Sequence, residues 1–241
     1  MRLHCFGSLL VTMMVFAGAL GAHAQAPNAQ TGTAKPDLSG IWEQAGGGFS
    51  RRFTREDPPL QPGALEVYKR NREGVTNPAE QGLDELDPTY NCLPAGFPRL
   101  MILRQFQIVQ LPNLIIMLFE YDHSVRWIHM DGREHPYGYP DTWMGHSVGK
   151  WDGDTLVVDT AAFNKESWLD RAGTPHSDAL HVVERIRRTD QDTMEIDFTF
   201  EDSKAYTKPW GGKKVYELRP DLEIMEHVNC DGYVQRKEDS P

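Results

Sequence analysis

The chain has 241 residues and a formal net charge of −10, from 25 Lys+Arg against 35 Asp+Glu. Hydrophobic residues make up 39%, enough for one packed core and too few for a polytopic membrane protein. The acidic balance excludes nucleic acid and anionic lipid as main partners, because both are held by a cationic face.

The first element in chain order is an address. Residues 1–24 read as a secretory signal peptide: Arg2 supplies the positive start, Leu9 to Leu20 is a short apolar core, and Ala22-His23-Ala24 is an A-x-A cleavage site. The mature chain then begins at Gln25 and is expected in the periplasm or outside the cell. It keeps 24 Lys+Arg against 35 Asp+Glu, and no membrane span. Two of the 3 cysteines remain, Cys92 and Cys230. In an exported chain the simplest reading is a disulfide; two buried thiols are the alternative, and no C-x-x-C favours a metal pair.

Residues 25–35 form a flexible leader, and 36–241 a single β-rich domain. Asp37 to Trp42 starts a first strand. Arg51 to Glu85 is a polar excursion with one helix over Gly63 to Glu73, carried by Leu65, Val67 and Tyr68. From Gln105 onward, short β runs alternate with turn signals. The runs are Gln105–Leu111, Leu114–Tyr121, Ser124–Met130, Gly145–Trp151, Asp154–Thr160, Leu180–Arg188, Met194–Glu201, Lys214–Leu218 and Leu222–Val228. The fold class is therefore all-β: an antiparallel meander closing into a barrel, which leaves no edges, with a two-sheet sandwich as alternative. Gly40-Ile41-Trp42 resembles the G-x-W near the first strand of lipocalin-like barrels, where the Trp plugs the floor, and together with the meander it leads to the expectation of a lipocalin-like barrel.

Six of the 9 histidines, His123, His129, His135, His146, His176 and His181, fall within sixty residues. If Asp152-Gly153 is a two-residue type I′ turn, Trp151 pairs with Asp154 and His146 sits opposite Asp159. A carboxylate-held imidazole is a general base. A surface His–Asp pair, or a three-residue loop bringing Thr160 opposite His146, are the other readings. Glu184 shares strand parity with Leu180, Val182 and Ile186, so it points inward as a candidate general acid or as half of a Glu–Arg pair. His176 lies on a loop leading to that strand. These four form the expected catalytic set. Arg133, Trp168, Asp170, Tyr206 and Trp210, on loops interrupting the meander, are expected to bind the ligand. No cofactor is required. A metal held by His146, His176 and either Asp159 or Glu184 stays open, without a ligand-spacing motif to support it.

Several long segments carry a resemblance. Cys92-Leu93-Pro94-Ala95-Gly96-Phe97-Pro98-Arg99, Gly145-His146-Ser147-Val148-Gly149 with Trp151 to Thr160, and His176-Ser177-Asp178-Ala179-Leu180-His181 with Glu184-Arg185 resemble a broad family of exported bacterial proteins. So do Met130 to Arg133 and Ala205 to Trp210. The resemblance spans about Pro36 to Cys230, implies export and one β-rich domain, and brings no catalytic residue with it. The expectation is an exported acid–base enzyme of lyase, isomerase or hydratase type acting on a small molecule, aromatic ones included, in a pocket at one end of the barrel. The alternative is a non-catalytic periplasmic binding barrel. Nothing in the pattern sets an oligomeric state.

Overall fold

The computed structural model describes residues 35–46, 52–76 and 86–227. The expected signal peptide, nearly all of the leader, and Cys230 lie outside these residues. Nine strands close into a barrel in chain order: β1 Gly40–Gln44, β2 Phe106–Leu111, β3 Leu114–Phe119, β4 Val125–His129, β5 His146–Asp152, β6 Thr155–Ala161, β7 His181–Arg188, β8 Thr193–Glu201 and β9 Trp210–Leu218. Closure pairs β1 with β9, Trp42 opposite Leu218. The sandwich alternative falls, and the ladder has no free edge.

The alternation read from sequence governs which side each residue takes. In β8, Met194, Ile196, Phe198 and Phe200 are buried while Glu195, Asp197 and Thr199 are not. In β6, Leu156, Val158 and Thr160 are buried, and Val157, Asp159 and Ala161 look outward. Trp42 is fully buried; its Nε1 donates to Leu38 O at 2.9 Å and Arg188 lies 5.5 Å over its ring. Gly40, at φ +136°, opens β1, and a Cβ there would sit 2.5 Å from Leu218 Cδ1.

Three sequence expectations change, the second of them covering the whole 51–85 excursion and its helix. The last hairpin is absent: β9 begins at Trp210 and ends at Leu218, and Leu222 to His227 form no strand. Residues 62–76 form the helix α1, Pro62–Thr76, with Pro at its first position, but Leu65 and Val67 are exposed. Tyr68 and Asn71, one turn apart, make its buried face, and Asn71 Nδ2 donates to Gly173 O at 2.9 Å. The polar excursion is also not wholly on the surface, since Phe53 packs edge-on against Phe198 and Phe200.

The third change positions the candidate site. The meander is not antiparallel throughout, because β4 and β5 run parallel, with Ile128 opposite Ser147 and His129 opposite Val148. A parallel pair requires the chain to travel back along the sheet between the strands. Residues 130–145 make that return. The other connections then sort by end. Tight turns at 112–113, 153–154 and 189–192 mark one end, and the described parts of the β1–β2 connection, with 162–180 and 202–209, lie at the other.

Candidate functional site

Two polar networks occupy opposite faces of the same strands. The inner one is built on Arg126 of β4. Its Nε donates to Ser147 Oγ at 3.0 Å, its Nη2 to Thr160 Oγ1 at 2.9 Å, and its Nη1 to Glu184 Oε1 at 3.1 Å. A second bond joins Nη2 to Glu184 Oε2. The guanidinium lies 3.7 Å over the Phe97 ring. Arg126 is 1% exposed and Glu184 0%. Parity thus places Glu184 inside as expected, but as half of a paired, fully solvated-by-protein ion pair, so it offers no free acid to a substrate.

The outer network contains the expected dyad in altered form. The two-residue turn is Gly153-Asp154, not Asp152-Gly153: Gly153 takes φ +63° at the first central position, as a type II′ turn requires, and Asp152 pairs with Thr155. The register shifts by two. His146 faces Ala161, and Asp159 faces Val148. A shift of two preserves the face, so His146 and Asp159 still share the outer side as diagonal neighbours.

His135, from the return segment 130–145, bridges that diagonal. Its Nε2 lies 2.8 Å from Asp159 Oδ1 and its Nδ1 lies 2.8 Å from His146 Nδ1. His181, at the start of β7, brings its Nε2 to the same Asp159 oxygen at 2.8 Å, with Nδ1 3.7 Å from Glu201. His129 stacks on His146 at 5.3 Å, and Tyr139 covers it at 4.8 Å. The segment is pinned by Phe97 N donating to Trp143 O at 2.9 Å and Thr142 N to Ala162 O at 3.0 Å. It enters β5 through Gly145 at φ +66°, where a Cβ would fall 2.8 Å from Ala161 O.

The partners assign the protons. A carboxylate only accepts, so His135 and His181 each donate N–H to Asp159. A neutral His135 then has a lone pair on Nδ1, and His146 donates its Nδ1–H there. His146 is left with an accepting Nε2, which makes no hydrogen bond among the described residues. Burial first, then the neighbouring His135, His129 and Arg133, push the His146 pKa below the ordinary value. The hydrogen bond from His181 holds Asp159 low, and Asp159 in turn raises His181. Near neutral pH the set is therefore a neutral imidazole with a free lone pair, tied through a second imidazole to an ionised carboxylate. A proton taken at His146 Nε2 can release the Nδ1 proton to His135, bringing the positive charge against Asp159.

The other expected site residues stand elsewhere. His176 is buried in the 162–180 segment, where Nδ1 donates to Ser177 O at 3.0 Å and Nε2 meets Ser167 Oγ at 2.9 Å. Both nitrogens are committed, and burial lowers its pKa. Asp170, 1% exposed and raised by burial, accepts from Ala172 N and Thr174 N and shapes its own loop. Trp168 lies under Arg99 at 5.8 Å. Tyr206 donates to Pro175 O at 2.7 Å and packs on Trp210 at 5.3 Å, so this pair covers the barrel end. Arg133 is exposed and bonded to Asp131 at 2.9 Å. The structure thus brings His146 and Asp159 together, and separates both from Glu184 inside and His176 at the end. The proposed metal set is dispersed in the same way. Among the described residues no three His, Cys, Asp or Glu side chains are grouped to hold a metal ion.

Sequence reasoning noted the histidine density but placed neither His135 nor His181 in the site. The signal for His181 was present: it shares outward parity with Val183 in β7, beside outward Asp159 in β6. His135 had none, because its place depends on the parallel crossover. No protein-family model matches this chain, and no curated protein matches it.

Proposed function

We propose that this protein is an exported acid–base catalyst acting on a small molecule at the outer face of the barrel, with His146 Nε2 as the general base. The observation that carries this reading is the unbroken chain His146–His135–Asp159, which leaves the His146 Nε2 lone pair without a partner among the described residues. Asp159 is the positioning carboxylate, His135 the relay, and His181 the second donor that keeps Asp159 ionised. Such a set suits removal and return of a proton, as in a lyase, isomerase or hydratase, and general acid–base help of this kind is worth roughly 10²–10⁴-fold in rate. Tyr139, packed on His146, and Trp127, two residues before His129 on the outward side of β4, are exposed aromatic rings available to a substrate.

The sequence led both the enzyme and the binding-barrel readings to a barrel pocket, and the rival keeps its ligand there. The inward positions Trp42, Phe106, Met117, Arg126, Glu184 and Tyr216 are each 1% exposed or less, so they support a filled core and favour a site outside. Export belongs to the same reading and rests on the signal-peptide pattern and the family resemblance. A Cys92–Cys230 disulfide goes with it, and non-reducing peptide mapping of the secreted protein checks that pairing.

The test of function is a metabolite comparison. The mature protein and its His146→Ala variant are incubated with a small-molecule extract and the products followed by mass spectrometry. A compound converted by the first and untouched by the second supports the proposal. Identical profiles, or a compound that is bound and returned unchanged by both, sink it.

A further inference from the structure

A second feature lies at the barrel end that carries the long connections, away from the histidines. There a cavity of about 360 Å³ is lined by Arg99, Arg104 and Arg171, with Asp87, Thr89 and Tyr121 among the remaining walls. The three guanidinium groups come from different segments: the 3-10 turn Arg99–Ile102, the entry to β2, and the 162–180 connection. In a chain of net charge −10, three arginines on one small cavity are unlike the average surface.

Two of the three have carboxylate partners. Arg99 holds Asp87 through Nη1 at 2.8 Å and Nη2 at 2.7 Å, and Asp87 lies low on that account despite its burial. Arg104 reaches Glu120 at 3.4 Å. Arg171 is exposed and makes no ion pair among the described residues. Asp122, nearby, is committed to Ala95 N at 2.8 Å. The cavity therefore keeps one guanidinium beyond its paired carboxylates. Arg99 adds an independent sign. It is 3% exposed, and its Nε has no hydrogen-bond acceptor among the described residues. A buried cationic N–H without an acceptor is costly, and an anionic oxygen in the cavity it lines would meet that need.

We infer that this cavity is a binding site for a small oxyanion, an organic carboxylate or a phosphate monoester, held by Arg99 and Arg171 with Arg104 at the rim. Planar guanidinium groups match both oxyanions in the same forked way. The volume is near the lower end for small-molecule sites, roughly 300 Å³ upward. The Tyr121 ring provides an apolar wall. The site is separate from the His146 set and stands whether or not that set is catalytic.

Calorimetric titration of the mature protein tests it, with inorganic phosphate in one arm and benzoate in the other. Arg171→Ala is the working variant because that side chain is exposed and removes no internal pair; Lys213→Ala is the control cation on the far strand β9. Binding of either anion should be weakened roughly tenfold by Arg171→Ala, the loss expected for one charge-assisted contact, and left unchanged by Lys213→Ala. Phosphate alone binding identifies a phosphate monoester as the ligand class, and benzoate alone an organic acid. Absence of binding for both at millimolar concentration overturns the inference. So does binding that Lys213→Ala weakens as much as Arg171→Ala, which would mark a diffuse charge effect.

Discussion

His146 and Ser147 are adjacent, as are Asp159 and Thr160, yet each pair splits between two networks on opposite faces of the barrel wall. Inside, Arg126 and Glu184 with Ser147 and Thr160 are sealed at 2% exposure or less. Outside, the His135, Asp159 and His181 side chains are 30%, 40% and 34% exposed. The inner cation is an arginine, which keeps its proton at any ordinary pH, and nearly all its donors are used. The outer network is built on imidazoles, the side chain able to take and give a proton in catalysis, and His146 Nε2 is left without a partner among the described residues. Strand alternation therefore sets a fixed polar core on one side of four strands and His146, Asp159 and His181 on the other, where His135 from the return segment joins them. Hydrogen-bond connectivity alone does not separate structure from chemistry; an available lone pair does, and His146 keeps one although it is only 5% exposed beneath its more open partners.

The largest expected effect lies inside. Glu184→Ala leaves Arg126 buried without its carboxylate, and breaking a buried pair in this way costs about 3–5 kcal/mol. That is a large part of the stability of an ordinary domain. Urea denaturation of the variant measures it. Replacing both partners with apolar residues, Arg126→Met with Glu184→Leu, should recover most of the loss, because no charge is then stranded. A Glu184→Ala protein as stable as the parent would show that the inner pair is not what it is taken to be.

The second effect lies outside and falls on rate. Asp159→Asn keeps the shape but replaces a two-fold acceptor with a group that also donates, so His135 loses its assigned tautomer and His146 its proton relay. Turnover should fall by roughly 10²-fold, the lower range for acid–base assistance. Stability should change by no more than about 1 kcal/mol, as for other exposed ion pairs. Steady-state rates and urea midpoints on the same preparation give both numbers. A variant that loses several kcal/mol but keeps its rate would reverse the assignment of the two networks.

The two faces were not equally legible in the sequence. Glu184 was readable as an inward residue because period-2 alternation in Leu180, Val182 and Ile186 needs no knowledge of neighbours. Its partner Arg126 was not, since which residue crosses the lumen depends on barrel closure. The dyad was half legible. His146 and Asp159 share a face under any even register shift, which a misplaced glycine in the 152–155 turn could not spoil. Their actual link, His135, depends on β4 and β5 running parallel. Period-2 patterns carry no strand direction, so a meander and a crossover read alike over residues 125–152. The Pro-, Tyr- and Gly-rich segment 133–144 was visible as a loop, but not as a strap laid across the outer face. His176 misled because a loop histidine reads the same whether its nitrogens are free or, as here, both bonded.

The smallest effect is a pH dependence in which the two kinds of histidine oppose each other. His181 has a pKa raised by Asp159. Its contribution to stability is fully present below the unfolded value of about 6.5 and is lost as pH rises through the folded value. His176, and with it His129 and His146, are lowered, burial being the main cause in each. These groups take a proton more readily when unfolded, so their contribution is present above about pH 6.5 and lost as pH falls toward the folded value. Between pH 8 and pH 5 the parent protein shows only the difference of the two trends. His181→Gln removes the first and should make the protein lose stability more steeply toward pH 5. His176→Gln removes part of the second and should flatten that loss, whatever fixed cost the change carries, because a fixed cost does not vary with pH. Urea midpoints at pH 5 and pH 8 for the three proteins read the slopes directly. Equal slopes in all three would mean that His181 is not charged against Asp159, and the outer network would lose the charged second donor assigned to that carboxylate.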